Sequence, residues 1–197
     1  MTHNFASLAH VPLQPATTFY RPLEQPKVVH LDDPAVEVMT DFKVVNPITV
    51  KPNVAIDMAL EKMKATGVRL LMVIDTHDQI VGLVTAKDIH GEKPVELVQE
   101  QRIPRSEIHV AMIMTPQAKI VALNLGSLSN AQVGHVVETL RELELQHILV
   151  VENDPESKQQ RVRGLFSTSE ISRQVGHDVS KIAAPAHSLA EMMRERH

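Results

Sequence analysis

Ile56, Ala59, Leu60 and Met63 recur at the spacing of one helix face, and an unbroken apolar run from Leu70 to Ile74 follows at once. The pattern predicts an amphipathic helix that opens near Pro52, runs to about Thr66 and stops at Gly67. Arg69 to Ile74 and Ile80 to Val84 read as strands joined by the turn Thr76-His77-Asp78-Gln79, which makes a hairpin. Thr85 caps a further helix that breaks near Gly91 and resumes from Pro94 to about Arg102. Ahead of this block, Val36 to Met39 is a short lead-in, and Val44-Val45 with Ile48-Thr49-Val50 reads as extended chain around Pro47.

The same order then returns. Ile108 to Met114 leads in, and Lys119 to Leu123 is a strand followed by an embellished loop. Asn130 is placed to cap a helix from about Ala131 to Leu145. His147 to Val151 and Val162 to Phe166 form a second hairpin, and Ser167 caps a last short helix. Met39-Thr40 answers to Met114-Thr115 at a shift of 75 residues. The helical stripe answers to Val133, Val136, Val137 and Leu140 at 77, as Leu71 to Asp75 answers to Ile148 to Glu152. Gly82-Leu83-Val84-Thr85-Ala86-Lys87-Asp88-Ile89 answers to Gly164-Leu165-Phe166-Ser167-Thr168-Ser169-Glu170-Ile171 at 82. The shift grows only near Asn124 to Asn130 and in 153–160, where surface loops absorb insertions cheaply and a core stripe would not.

The chain therefore reads as an α/β (α+β) unit, strand-helix-strand-strand-helix, built twice. Residues 1–34 form a Pro-rich N-terminal arm, 35–106 the first unit, 107–176 the second, and 177–197 a C-terminal tail. In that tail Pro185 breaks the chain and Ser188 caps Leu189 to Glu195.

Composition narrows the function. The 197 residues are 43% hydrophobic and 22% charged but only 3% aromatic, a globular balance with an aliphatic, Met-containing core. No apolar stretch is long enough to span a bilayer, and no secretory signal pattern opens the chain. A net charge of −4 without a basic stripe argues against nucleic acid as a partner. Zero cysteines exclude disulfides and thiolate metal sites, and agree with a reducing cytoplasm. The 11 histidines show no ligand spacing, so no dedicated metal is expected. A glycine-rich phosphate loop and a Gly-x-Ser-x-Gly elbow are both missing, and no enzyme activity is expected.

The paired Met-Thr lead-ins, the helix before each hairpin, and the Gly-apolar-apolar-Thr/Ser-x-x-Asp/Glu-apolar endings resemble paired cystathionine-β-synthase-like (CBS) domains, a Bateman module, over residues 36–175. A stand-alone module is expected because no enzyme or transporter domain accompanies the pair in this sequence. The resemblance implies two units packed with pseudo-twofold symmetry. It implies a non-catalytic regulator that binds an adenine-containing small molecule (AMP, ADP, ATP or S-adenosylmethionine) between the units. It also implies a homodimer and a conformational signal to a regulated protein partner.

A helix-cap hydroxyl at Thr85 can donate to a phosphate oxygen, and the Asp88 carboxylate can accept from two vicinal ribose hydroxyls. The resemblance assigns those two roles to these two residues. Ser167 and Glu170 occupy the same places in the second copy, where Glu departs from the Asp the family favours and makes the two sites unequal. In the family the base slot comes from segments that correspond here to 46–50 and 68–71, including Val68 and Leu70, and in the second unit to 121–127 and 145–148. Thr49 is the polar candidate expected to converge with Thr85 and Asp88; Arg69, Lys87 and His147 are expected to meet phosphate charge. The alternative needs no ligand: both Thr85-x-x-Asp88 and Ser167-x-x-Glu170 are also capping-box patterns, which would suit a structural or protein-interaction module.

Overall fold

The computed structural model describes residues 28–154 and 159–179, together with Gln14 and Thr18. The helix expected at Leu189 to Glu195 and most of the N-terminal arm lie outside the described residues.

In the first repeat, β2 (Thr49–Val50), α1 (Ile56–Thr66), β3 (Leu70–Ile74), β4 (Ile80–Thr85), α2 (Ala86–His90) and α3 (Glu92–Gln99) follow in that order. The second repeats the plan with β6 (Ala122–Asn124), α5 (Val133–Glu142), β7 (His147–Asn153), β8 (Gln160–Ser167) and α6 (Thr168–Val175). Two short strands precede these blocks, β1 (Thr40–Asp41) and β5 (Thr115–Pro116), the latter behind a one-turn helix α4 (Val110–Ile113). The structure thus has the mixed helix-and-sheet architecture of two like units.

The lead-in strands are exchanged. β1 pairs antiparallel with β8, setting Thr40 opposite Leu165 and Asp41 opposite Gly164. β5 pairs with β4, setting Thr115 opposite Leu83 and Pro116 opposite Gly82. The two sheets therefore run β2-β3-β4-β5 and β1-β8-β7-β6, each completed by a strand that the other half of the sequence supplies. Arg163 secures one exchange, with its guanidinium 2.6 Å from Asp41 on β1 and 3.5 Å from Glu152 on β7.

This exchange also moves the helix starts. Ile56 N–H donates to Ile108 O at 3.0 Å and Val110 N–H to Val54 O at 2.9 Å, so 54–55 stay extended and α1 begins at Ile56 rather than near Pro52. In the second repeat Ala35 N–H donates to Ala131 O at 2.8 Å and Val133 N–H to Asp33 O at 2.9 Å. Gln132, not Asn130, is therefore the cap of α5, and His135 Nδ1 accepts from Gln132 N–H at 3.0 Å. At its far end α1 stops at Gly67, whose φ of +69° is the left-handed conformation a glycine adopts without strain.

Strand alternation sorts the apolar residues into three clusters. Leu71, Val73 and Val84 pack on Ile56, Ala59, Met63, Ile89, Ile108 and Ile113. Ile148, Val150 and Phe166 pack on Val133, Val136, Leu140 and Ile171, together with Val29, Ala35 and Val38 from the other end of the chain. The alternate residues Leu70, Met72 and Leu149 face the opposite way and bury against one another between the two sheets.

Candidate functional site

Where the sheets face each other, two clefts open side by side. One, of about 530 Å³, is bounded by Thr85, Lys87, Asp88 and Lys93 of the first repeat and by Lys119, Val121, Gln146 and His147 of the second half. The other, of about 580 Å³, reverses the contributions: Ser167, Glu170 and Arg173 of the second repeat face Asn46, Pro47, Ile48, Val68 and Arg69 of the first. Leu70, His147 and Leu165 line both clefts and form their common wall. Register explains the symmetry, since Leu70 lies opposite Thr85 on the first hairpin and His147 opposite Ser167 on the second.

The predicted residues are thus brought together in two groups. Leu70, Thr85, Lys87, Asp88 and His147 share the first cleft; Val68, Arg69, Leu70, His147, Ser167 and Glu170 share the second. Thr49 joins neither, and its expected convergence with Thr85 and Asp88 is corrected. β2 runs parallel to β3 with Thr49 beside Met72, whereas Thr85 lies opposite Leu70 at the start of β3. Thr49 consequently lines a separate groove between the sheets, with Met72, Ile74 and Ile80. Each cap faces strand ends of the opposite repeat across its cleft, as well as the strand start paired with it in its own hairpin. Lys93, Lys119 and Arg173 line these clefts but were not among the sequence candidates, whereas Gln146 falls in the expected 145–148 segment; an Arg three residues after Glu170 was the one local signal for the others.

The two caps are built differently. Thr85 N–H and Oγ1–H both donate to Asp88 Oδ2, at 2.9 and 2.7 Å, while Asp88 N–H donates to Thr85 Oγ1 at 3.2 Å. That is a closed capping box. In the second repeat Glu170 N–H donates to Ser167 Oγ at 3.2 Å, but the longer Glu side chain turns away. It accepts from Arg173 at 3.0 and 2.5 Å and from Gln174 at 2.6 Å. The Arg173 hydrogen bonds hold the Glu170 carboxyl below its ordinary range.

His147 is half-buried in the common wall. Burial above all, then the Arg69 guanidinium, pushes its imidazole down to about 4 from the ordinary 6.5, against the opposing pull of Asp88. Between those two values the unfolded chain holds a proton at this ring that the folded chain does not, so acidification through that window removes stability. Denaturant midpoints measured from pH 7 to 4 are expected to fall less steeply in His147→Leu than in the parent protein. An identical slope in both proteins would refute the assignment.

Residues 35–92 match the CBS domain. Over 51 residues, 26% of this chain, the sequence is 37% identical to the H(+)/Cl(-) exchange transporter 7 of Mus musculus, a match that spans 6% of the transporter's length. The fold is similar to that of an uncharacterized conserved protein from Pyrococcus horikoshii, with a TM-score of 0.51 and 23% identity over 74% of this chain and 93% of that one. Protein MJ1225 from Methanocaldococcus jannaschii gives a TM-score of 0.51 and 20% identity over 70% of this chain and 48% of its own. The CBS domain pair of protein MJ0100, solved in complex with 5'-methylthioadenosine and S-adenosyl-L-methionine, gives 0.49 and 22% over 72% and 94%. Among the described residues no helix is long and apolar enough to cross a membrane, and no group of three or more His, Asp or Glu could hold a metal ion.

Proposed function

We propose that the chain, whose residues 35–92 match the CBS domain, is a tandem pair of such domains and a non-catalytic regulatory module that binds an adenine-containing nucleotide or related cofactor between its repeats. The observation that carries this reading is the crossed construction of the two clefts, each taking a hydroxyl and an acid from one repeat and strand ends from the other. Their volumes suit a small-molecule ligand. A ligand held this way touches both repeats, so it binds one relative orientation more tightly and shifts the population toward it.

The first cleft is the principal site in this reading. Asp88 accepts from the ribose hydroxyls and Thr85 donates to phosphate, which requires opening the bond between the two side chains. Lys87, Lys93 and Lys119 stand around the same cleft and supply positive charge for phosphate. AMP, ADP, ATP and S-adenosylmethionine are the candidate ligands. Exposed Met58 on α1 and Val95 and Val98 on α3 support a homodimer, through which a regulated protein partner would sense the change. The cysteine-free composition supports a cytoplasmic setting.

Titration calorimetry of the full chain with those four ligands tests the reading. Asp88→Asn keeps an oxygen for the Thr85 cap but loses the charge, and is expected to weaken nucleotide binding by about 10- to 100-fold while leaving thermal stability nearly unchanged. Equal affinity in the variant would refute the ribose role. A second reading, a ligand-free structural or interaction module, is favoured by the closed Thr85–Asp88 capping box, and failure of all four ligands to bind would select it.

A further inference from the structure

The two repeats are not equivalent at the wall between their clefts. Leu70 and His147 hold the same register position, each opposite the cap residue of its own hairpin, and both border both clefts. One is an alkyl chain and the other a ring with a donor and an acceptor nitrogen. Among the described residues lining both clefts, His147 alone carries a polar side chain. The charges that face it are Arg69, just ahead of β3, and Asp88 on α2. Beyond these, Lys87, Lys93, Lys119, Glu92 and Glu144 stand around the first cleft, and Glu170 and Arg173 around the second.

We propose that the two clefts compete for the single imidazole of His147, so that a phosphate-bearing ligand in one cleft draws the ring to itself and weakens binding in the other. This rests on the nucleotide reading above. The ring is neutral in the empty protein at pH 7 because it is half-buried beside Arg69. A phosphate close to it supplies the opposite charge that favours the imidazolium, and the ring then takes one proton from solvent and donates a charged hydrogen bond. The ring can turn toward only one cleft at a time. Two consequences follow from the geometry: binding is accompanied by proton uptake, and the second equivalent of ligand binds more weakly than the first.

The test is calorimetry of the full chain with ATP at pH 6 and 7, in two buffers of different ionisation enthalpy, on the parent protein, His147→Leu and His147→Gln. Leucine is the residue the first repeat already places at this position; glutamine keeps a hydrogen-bond donor that carries no charge. In the parent, ATP is expected to bind about three- to tenfold more tightly at pH 6 than at pH 7, with proton uptake seen as a buffer-dependent heat. Both variants are expected to lose the uptake. In His147→Leu the ratio of the second to the first dissociation constant is expected to shrink by about tenfold. ATP binding with no proton uptake, or with uptake and site ratio unchanged in both variants, overturns the inference and leaves the nucleotide reading standing. No heat with ATP, ADP, AMP or S-adenosylmethionine overturns that reading, and this inference with it.

Discussion

Gly164→Val is expected to destabilise the chain by about 3 kcal/mol and to lower its Tm by ~6–12 °C, the upper part of the range for overpacked sites. A Cβ at this position would lie 2.7 Å from the carbonyl oxygen of Thr40 and 2.9 Å from the sulfur of Met39. The sulfur can swing aside on a flexible side chain, but the oxygen belongs to the exchanged strand β1 and moves only if that strand does. Gly82 is the counterpart, where a Cβ would meet Met114 sulfur at 2.6 Å and Thr115 oxygen at 2.8 Å. Gly134, inside α5, provides the contrast: its nearest neighbour would be 3.4 Å away, so Gly134→Ala meets ordinary contact. That substitution is expected to raise stability by ~0.5–1 kcal/mol through helix propensity. Urea denaturation of both variants checks the pair. A harmless Gly164→Val would mean that β1 does not lie where the structure puts it.

These glycines show what the sequence could and could not reveal. Met39-Thr40 with Met114-Thr115, and Gly82 with Gly164, are recognisable as repeated pairs. Their spacing does not say that the methionine of one half packs against the glycine of the other. Local signals were legible: hydrophobic period placed both helices and both hairpins, Gly67 ended α1, and the Thr85-x-x-Asp88 spacing announced a capping box. Non-local pairing was not. The exchange of β1 and β5 connects residues more than thirty positions from their nearest sheet partner in one case and more than a hundred in the other. It shifted the helix starts to Ile56 and Val133 and crossed the clefts, setting Thr85 against 145–147 and Ser167 against 46–48. Thr49 was misplaced for the same reason, since composition and propensity carry no information about which end of β3 a parallel neighbour approaches.

Phe166→Ala is expected to cost about 3–5 kcal/mol, against ~1–2 kcal/mol for Val84→Ala at the equivalent place in the first repeat, because the larger side chain leaves the larger cavity. Phe166 is fully buried on β8 opposite Ile148, surrounded by Val38, Ile171 and the α5 face. It is the largest fully buried side chain among the described residues, in a chain otherwise poor in aromatics. The form of the unfolding curve is as informative as its midpoint. Val29, Ala35 and Val38 lie in this second-repeat core while the chain between them and β6 builds the first repeat, and the Thr115 strand reaches back into the first sheet. Neither repeat can therefore open without withdrawing a strand from the other. Phe166→Ala is expected to move one cooperative transition to lower urea with an unchanged slope, as a two-state shift requires. A variant that instead splits into two transitions, with the first repeat retaining parent stability, would show that the exchanged strands do not bind the two halves into one unit.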